Sequence, residues 1–272
     1  MLKKCLKYDL RSGALIWVIM AVCVIALSIP AGISFDRINL QTDPVIIQIV
    51  EMIFIIVEYI GIIGFMLVTQ FLIYYRYYKN FFTDEGYLTF AIPIKRSTLL
   101  NSKIIGALIY QFATFLIIGI AGAVIASFQR GYEMEEIKQD LWAIVEDMGV
   151  WTGFLVLDIF LLTFMSVLLM TLFTYLCITV SCSIANRNKL IVTFCVWYGV
   201  CNFILPIVFT VIMFYVMSMM SLGMSAFPSL FSETPAPYIC VLLLLFAIMI
   251  LAINTLMYRI ITEYLERKLN LS

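Results

Sequence analysis

Apolar side chains fill this chain in six long stretches, separated by short segments that are polar, charged or rich in proline. The stretches run from about Ala14 to Phe35, Met52 to Tyr75, Leu99 to Phe128, Val150 to Ser183, Leu190 to Ser221 and Tyr238 to Ile261. A helix rises about 1.5 Å per residue, so roughly 20 mainly apolar residues cross the hydrocarbon core of a bilayer. Each stretch meets that length, and several exceed it, which allows tilt without fixing an angle. None alternates apolar and polar positions over about ten residues, as the strands of a membrane barrel do. The pattern predicts an all-α polytopic membrane protein with six transmembrane helices, forming a single domain over residues 1–272.

The segments between the spans carry patterns of their own. Over residues 1–13, Leu2, Leu6 and Leu10 alternate with Lys3, Lys7 and Arg11 at helical spacing, which predicts an amphipathic helix along the membrane interface. A cleaved secretory leader also places cations before an apolar run, but its core is only about 7–15 residues. The run here is longer and Asp9 interrupts the basic region, so a retained first helix is predicted. Over residues 129–149, Met134, Ile137, Leu141, Ile144, Val145 and Met148 recur at three- and four-residue steps, which predicts an outer amphipathic helix. That helix either orders its loop or covers a substrate path. Pro228, Pro235 and Pro237 break the segment before the last span, which predicts a re-entrant outer hairpin. Pro206 is expected to kink the fifth span, and Gly119, Gly122, Ala123 and Ala126 make a small-residue stripe of the kind that lets helices approach.

Composition and charge sharpen this picture. Hydrophobic residues make up 64% and charged residues 12% of the chain, where soluble domains carry about 25% charged residues. The net charge is zero, so nothing points to a nucleic-acid partner, but the cations are unevenly placed. Fourteen Lys and Arg fall on the side of the termini and three, Arg37, Arg130 and Lys138, on the other. By the positive-inside rule both termini and the segment between spans two and three are cytoplasmic. The chain contains no histidine, which excludes Ser-His-Asp and Cys-His catalysis and histidine-ligated metals. Its seven cysteines form no CxxC pair and mostly lie in apolar runs, as small hydrophobes do. No metal site is expected.

Glu51, Glu58 and Asp158 stand in or at the edge of apolar spans, in the outer half. Glu51 and Glu58 are two turns apart on one helical face, and no Lys or Arg is evident at matching depth. Carboxylates in a membrane helix are costly and usually face the bundle interior or water. They therefore read either as an anionic transport path favouring cationic cargo or as carboxyls hydrogen-bonded between helices. The chain has no G-x-x-x-x-G-K-[ST] phosphate loop, so it carries no ATPase site and is not itself an enzyme of that kind.

The segment Arg76 to Lys103 differs from everything around it, with five cations, clustered aromatics and Asp84-Glu85-Gly86. Thr83 is placed to cap a short helix whose first turn holds Asp84 and Glu85, Tyr87, Leu88 and Phe90 form an aromatic knob, and Pro93 ends it. Ser97 or Thr98 is placed to cap the next span. Such a knob suits a groove on a partner, where aromatic residues dominate binding. An interfacial aromatic belt is the other reading, and Tyr74, Tyr75, Tyr77 and Tyr78 are assigned to one.

Ile92-Pro93, Lys95-Arg96, Leu99-Leu100 and Lys103 resemble the loop and third-helix start of type-2 ABC exporter permeases. The layout of the chain is similar to that family, but the likeness is specific only around residues 76–105. It implies a transmembrane permease domain in a bacterial plasma membrane, with a cytoplasmic coupling loop at 76–98 that docks on a separate ABC ATPase subunit. The ATPase-coupling residues would be Asp84, Glu85, Tyr87, Leu88, Phe90, Pro93, Lys95 and Arg96, with ATP and Mg held by the partner and no cofactor in this chain. A second copy or a related permease would complete the complex. Size and layout look like permeases that export phenol-soluble-modulin-type or antimicrobial-type peptides, so an amphipathic peptide is the implied cargo. Two other classes fit the residues: an ion-coupled carrier using Glu58 and Asp158, and a non-transporting sensor or scaffold.

Overall fold

A computed structural model describes residues 2–40, 44–83, 85–86, 95–128, 142, 145–146, 149–184, 197 and 236–268. Among these residues the regular structure is entirely helical, with five long helices: α1 (Leu2–Leu40), α2 (Val45–Phe82), α3 (Arg96–Phe128), α4 (Trp151–Ile184) and α5 (Ala236–Lys268). Each includes a stretch long and apolar enough to cross a membrane. The chain is a multi-pass helical membrane protein. The expected fifth span, Leu190 to Ser221, and the re-entrant hairpin lie outside the described residues. So does most of the outer amphipathic helix, of which Trp142, Val145 and Glu146 are helical.

The helices outrun the apolar stretches that predict them. α1 is one uninterrupted helix from Leu2, so no backbone break separates the basic segment 1–13 from the first span. α2 continues seven residues past Tyr75, to Phe82, and absorbs the first part of the expected coupling loop. Its start is set by Pro44, whose carbonyl accepts from Ile47 N at 2.8 Å and whose fixed φ suits a helix entrance.

The single domain read from the sequence divides into two compact units, Met1–Trp142 and Ala143–Ser272. In the first, α1 and α2 run antiparallel. Arg76 packs on Gly13, Leu27 on Gly61, and Arg37 reaches Glu51. α3 then lies parallel to α1, with contacts from Asp9–Lys103 through Trp17–Thr114 to Gly32–Ile125. Its core joins Trp17, Ala21 and Val24 of α1 to Phe65 of α2 and Ala121 of α3.

In the second unit, Cys240 Sγ contacts Trp151 O at 3.9 Å and Asn254 Nδ2 donates to Met165 O at 3.1 Å, both across 89 residues. Equal offsets in the same direction make α4 and α5 parallel neighbours. Ala236 therefore begins at the end of the pair where Trp151 begins, and Ile184 lies at the opposite end.

Beside the apolar core, polar side chains are buried while large apolar ones face outward. Ser28, Thr69, Gln111, Thr114 and Asn254 are buried, while Leu15, Ile46, Phe71 and Phe160 are exposed. In hydrocarbon this is the favourable arrangement, because polar groups must find partners inside the protein.

Among the described residues the small stripe of α3 meets no neighbouring helix. Gly119, Gly122, Ala123 and Ala126 are exposed, and a β-carbon on either glycine would meet nothing within 4 Å. Close approach occurs at Gly32 instead, where a β-carbon would sit 3.1 Å from Ile125 Cα and 3.0 Å from Phe128 Cδ2. Gly32→Val is expected to lower the thermal unfolding midpoint in detergent through overpacking of about 1–3 kcal/mol, whereas Gly119→Val changes it little. Scanning fluorimetry of both variants measures this, and equal shifts would mean that α1 and α3 do not meet at Gly32.

Candidate functional site

The segment between α2 and α3 begins with a tight turn. Thr83 ends α2 in an extended conformation. Its hydroxyl donates back to Lys79 O at 2.5 Å, and Glu85 and Gly86 just beyond it are helical. Gly86 N donates to Thr83 O at 2.8 Å, and Lys79 Nζ pairs with Glu85 at 2.8 Å across the turn. Both partners are about half exposed, so the pair orients the turn and contributes little stability. Gly86 is buried against Phe81, and a β-carbon there would stand 2.9 Å from Phe81 O, so only glycine fits unshifted.

Asp84, Tyr87, Leu88, Phe90 and Pro93 lie outside the described residues. Lys95 is exposed and its carbonyl accepts from Thr98 N at 2.9 Å and Leu99 N at 3.3 Å. Helix α3 thus starts at Arg96 with Lys95 at its cap position, ahead of both Ser97 and Thr98.

The rest of the family-like run points inward. Leu99, Leu100 and Lys103 are all buried. One turn separates Leu99 and Leu100 from Lys103, so the three share the face that packs in the first unit. Tyr77 also differs from its expected place in a lipid belt. It is fully buried, with its ring 5.1 Å from Phe81 and 6.0 Å from Phe82. Tyr75, exposed and stacked on Phe71 at 5.8 Å, keeps a surface position.

Lys103 anchors a charged cluster that sequence reasoning missed. Its Nζ pairs with Asp9, and Ser102 Oγ donates to the same carboxylate at 3.4 Å. Nearby, Tyr110 Oη donates to Leu10 O at 2.5 Å. The Arg76 guanidinium lies 5.9 Å from the Tyr110 ring centroid and packs on Gly13. α1, α2 and α3 each contribute. The available signal was the lone acid of a basic segment and a lysine inside an apolar helix.

Further along, a neutral polar seam crosses the same three helices. Trp17 Nε1 donates to Thr114 Oγ1 at 3.0 Å, Thr114 to Thr69 Oγ1 at 3.2 Å, and Thr69 to Phe65 O at 2.9 Å. Gln111 Nε2 donates to Gln70 Oε1 at 3.2 Å. Thr69, Gln70, Gln111 and Thr114, with Met66 and Phe115, line a cavity of about 20 Å³, enough for one water.

Glu51 and Glu58 share the buried face of α2 with Phe65, as their spacing predicts. Glu51 is not unaccompanied, because Arg37 Nη1 comes within 3.8 Å of Oε1. That distance gives charge attraction but no hydrogen bond, and both Glu51 oxygens lack a hydrogen-bond partner. Glu58 is 3% exposed and neither carboxyl oxygen is hydrogen-bonded. Asp158, 5% exposed, belongs to the second unit, where the offset of 89 between α4 and α5 sets Ala247 level with it. Asn254, near Met165, is buried with Oδ1 unpartnered. Thr171, Thr179 and Ser181 are self-satisfied, each bonding the carbonyl four residues back.

No group of three metal-ligating side chains occurs among the described residues. No family model, curated protein or solved structure matches this chain.

Breaking the Asp9–Lys103 pair leaves a buried charge unpaired. Lys103→Met is expected to cost about 3 kcal/mol, and Asp9→Leu combined with Lys103→Met to recover most of it. Additive losses in this double-mutant cycle, read by unfolding in detergent, would show that the two side chains are not coupled. Glu58→Leu is expected to raise stability by about 1–3 kcal/mol by removing an unpartnered buried carboxyl. A lower unfolding midpoint for Glu58→Leu would mean that the carboxyl has a stabilising partner.

Proposed function

We propose that this chain is the membrane-spanning permease subunit of an ATP-driven ABC exporter, residing in a bacterial plasma membrane with both termini cytoplasmic. A separate ABC ATPase subunit docks on the segment from Asp84 to Arg96, binds ATP and Mg, and supplies the energy. A second permease completes the pathway, and a six-span topology supplies the return between the parallel helices α4 and α5. The cargo is an amphipathic, cationic peptide of toxin or antimicrobial type, drawn to the carboxylates Glu51, Glu58 and Asp158.

The observation that carries this reading is the mounting of the docking segment. It springs from two helices that are tied together on both sides. Phe81 and Tyr77 are buried at the end of α2, and Leu99, Leu100 and the Asp9–Lys103 pair bury the start of α3. A push on the segment is therefore delivered to α1, α2 and α3 as one body, which is what rigid-body switching by an external engine needs. Lys95, exposed at the start of α3, is a cation that such a partner could meet.

A second reading rests on Glu58. A buried carboxyl with both oxygens unpartnered, in a membrane helix, also suits the proton or cation site of an ion-coupled carrier.

The two readings separate in one experiment. Tyr87→Ala with Phe90→Ala is expected to abolish co-purification of an ABC ATPase subunit while leaving membrane insertion intact. Peptide-stimulated ATP hydrolysis by the reconstituted wild-type complex is expected to disappear with it. Survival of the complex in the double variant would misplace the docking element, and ion-driven uptake without any ATPase would favour the carrier.

A further inference from the structure

The first turns of α1 present a surface that neither the docking segment nor the carboxylates use. Lys3, Lys7 and Arg11 recur every fourth residue and all three are exposed. With Leu6, Leu10 and Ala14 they line an open groove of about 470 Å³. A four-residue step turns only about 40° around a helix, so the cations follow one face of α1. That face continues without a break into Leu15, Val18 and Val22, each exposed.

The only acid in this stretch is held elsewhere. Asp9 is paired with Lys103 and accepts from Ser102, on the opposite side of α1 from Lys7 and Arg11. Its charge is spent inside the protein, and the groove face is left cationic. The face is also held in place, because the Tyr110 hydroxyl grips Leu10 O at 2.5 Å and Arg76 packs on Gly13.

A cationic groove running directly into an exposed apolar strip has the chemistry of a phospholipid read from headgroup to tail. We propose that this groove binds an anionic phospholipid, with its phosphate held by Lys3, Lys7 and Arg11 and an acyl chain lying along Leu15, Val18 and Val22. The arginine fork suits a phosphate, and the lysine stems cover apolar surface while their ammonium groups reach the headgroup. A soluble anion would satisfy the cations but cover neither the apolar floor of the groove nor the strip beyond it.

The test uses the full chain purified in detergent and titrated with mixed micelles containing phosphatidylglycerol or phosphatidylcholine. Native mass spectrometry is expected to show selective retention of phosphatidylglycerol, and thermal unfolding to shift upward with it. Lys3→Gln/Lys7→Gln/Arg11→Gln is expected to weaken that retention roughly 100-fold, since each basic residue near an anionic lipid contributes about five-fold. The charge-conserving variant Lys3→Arg/Lys7→Arg/Arg11→Lys keeps it, which separates lost charge from lost fold. In the unaltered protein, raising salt is expected to reduce the selectivity. Equal retention by the glutamine variant, salt-insensitive retention, or the same stabilisation by inorganic phosphate or glycerol 3-phosphate would overturn the proposal.

Discussion

The first unit depends on where Lys103 can put its charge. A lysine buried beside apolar leucines is strongly unfavourable unless an anion reaches it, and Asp9 is that anion. Their pairing fixes the rotation of α1 against α3. Once it is fixed, Gly13 falls under Arg76, Leu10 under Tyr110, Trp17 opposite Thr114 and Gly32 against Ile125. It also decides what faces outward, since the cations of α1 are left on the free side. One ion pair sets both the internal register and the surface chemistry of this end of the molecule.

The remaining polar groups follow a single constraint, that a donor or acceptor surrounded by lipid-facing helices must be satisfied within the protein. Threonine and serine meet it locally by bonding the preceding turn, as Thr171, Thr179 and Ser181 do. Trp17, Thr69 and Thr114 meet it across helices, and so specify which faces meet. The carboxyl oxygens of Glu51 and Glu58 and the Asn254 Oδ1 do not meet it.

Helix positions were legible because hydropathy reports burial in lipid directly, and five of the spans read from the sequence lie within long helices. Helix ends were less so. Arg76 to Phe82 looks like a loop by composition, yet the burial of Tyr77 and Phe81 carries the helix through it. Glu51 and Glu58 could be placed on one face by spacing alone. The approach of Arg37 to Glu51 could not, because it depends on the short connection between α1 and α2 folding them antiparallel. The Asp9–Lys103 pair was hidden for the same reason, as its partners are 94 residues apart and no local pattern joins them. Gly119 and Gly122 mark capacity for close packing, which does not name the helix that uses it.

The parallel pairing of α4 with α5 bears on how the protein is made. An antiparallel hairpin such as α1 and α2 can close almost as soon as its second helix leaves the ribosome. α4 has no such neighbour in this pair, because the helix that meets Met165 begins only at Ala236. With α5 unmade, its pairing with α4, the helix that carries the buried Asp158, stays open. Non-local pairings of this kind are the slow and exposed steps of folding.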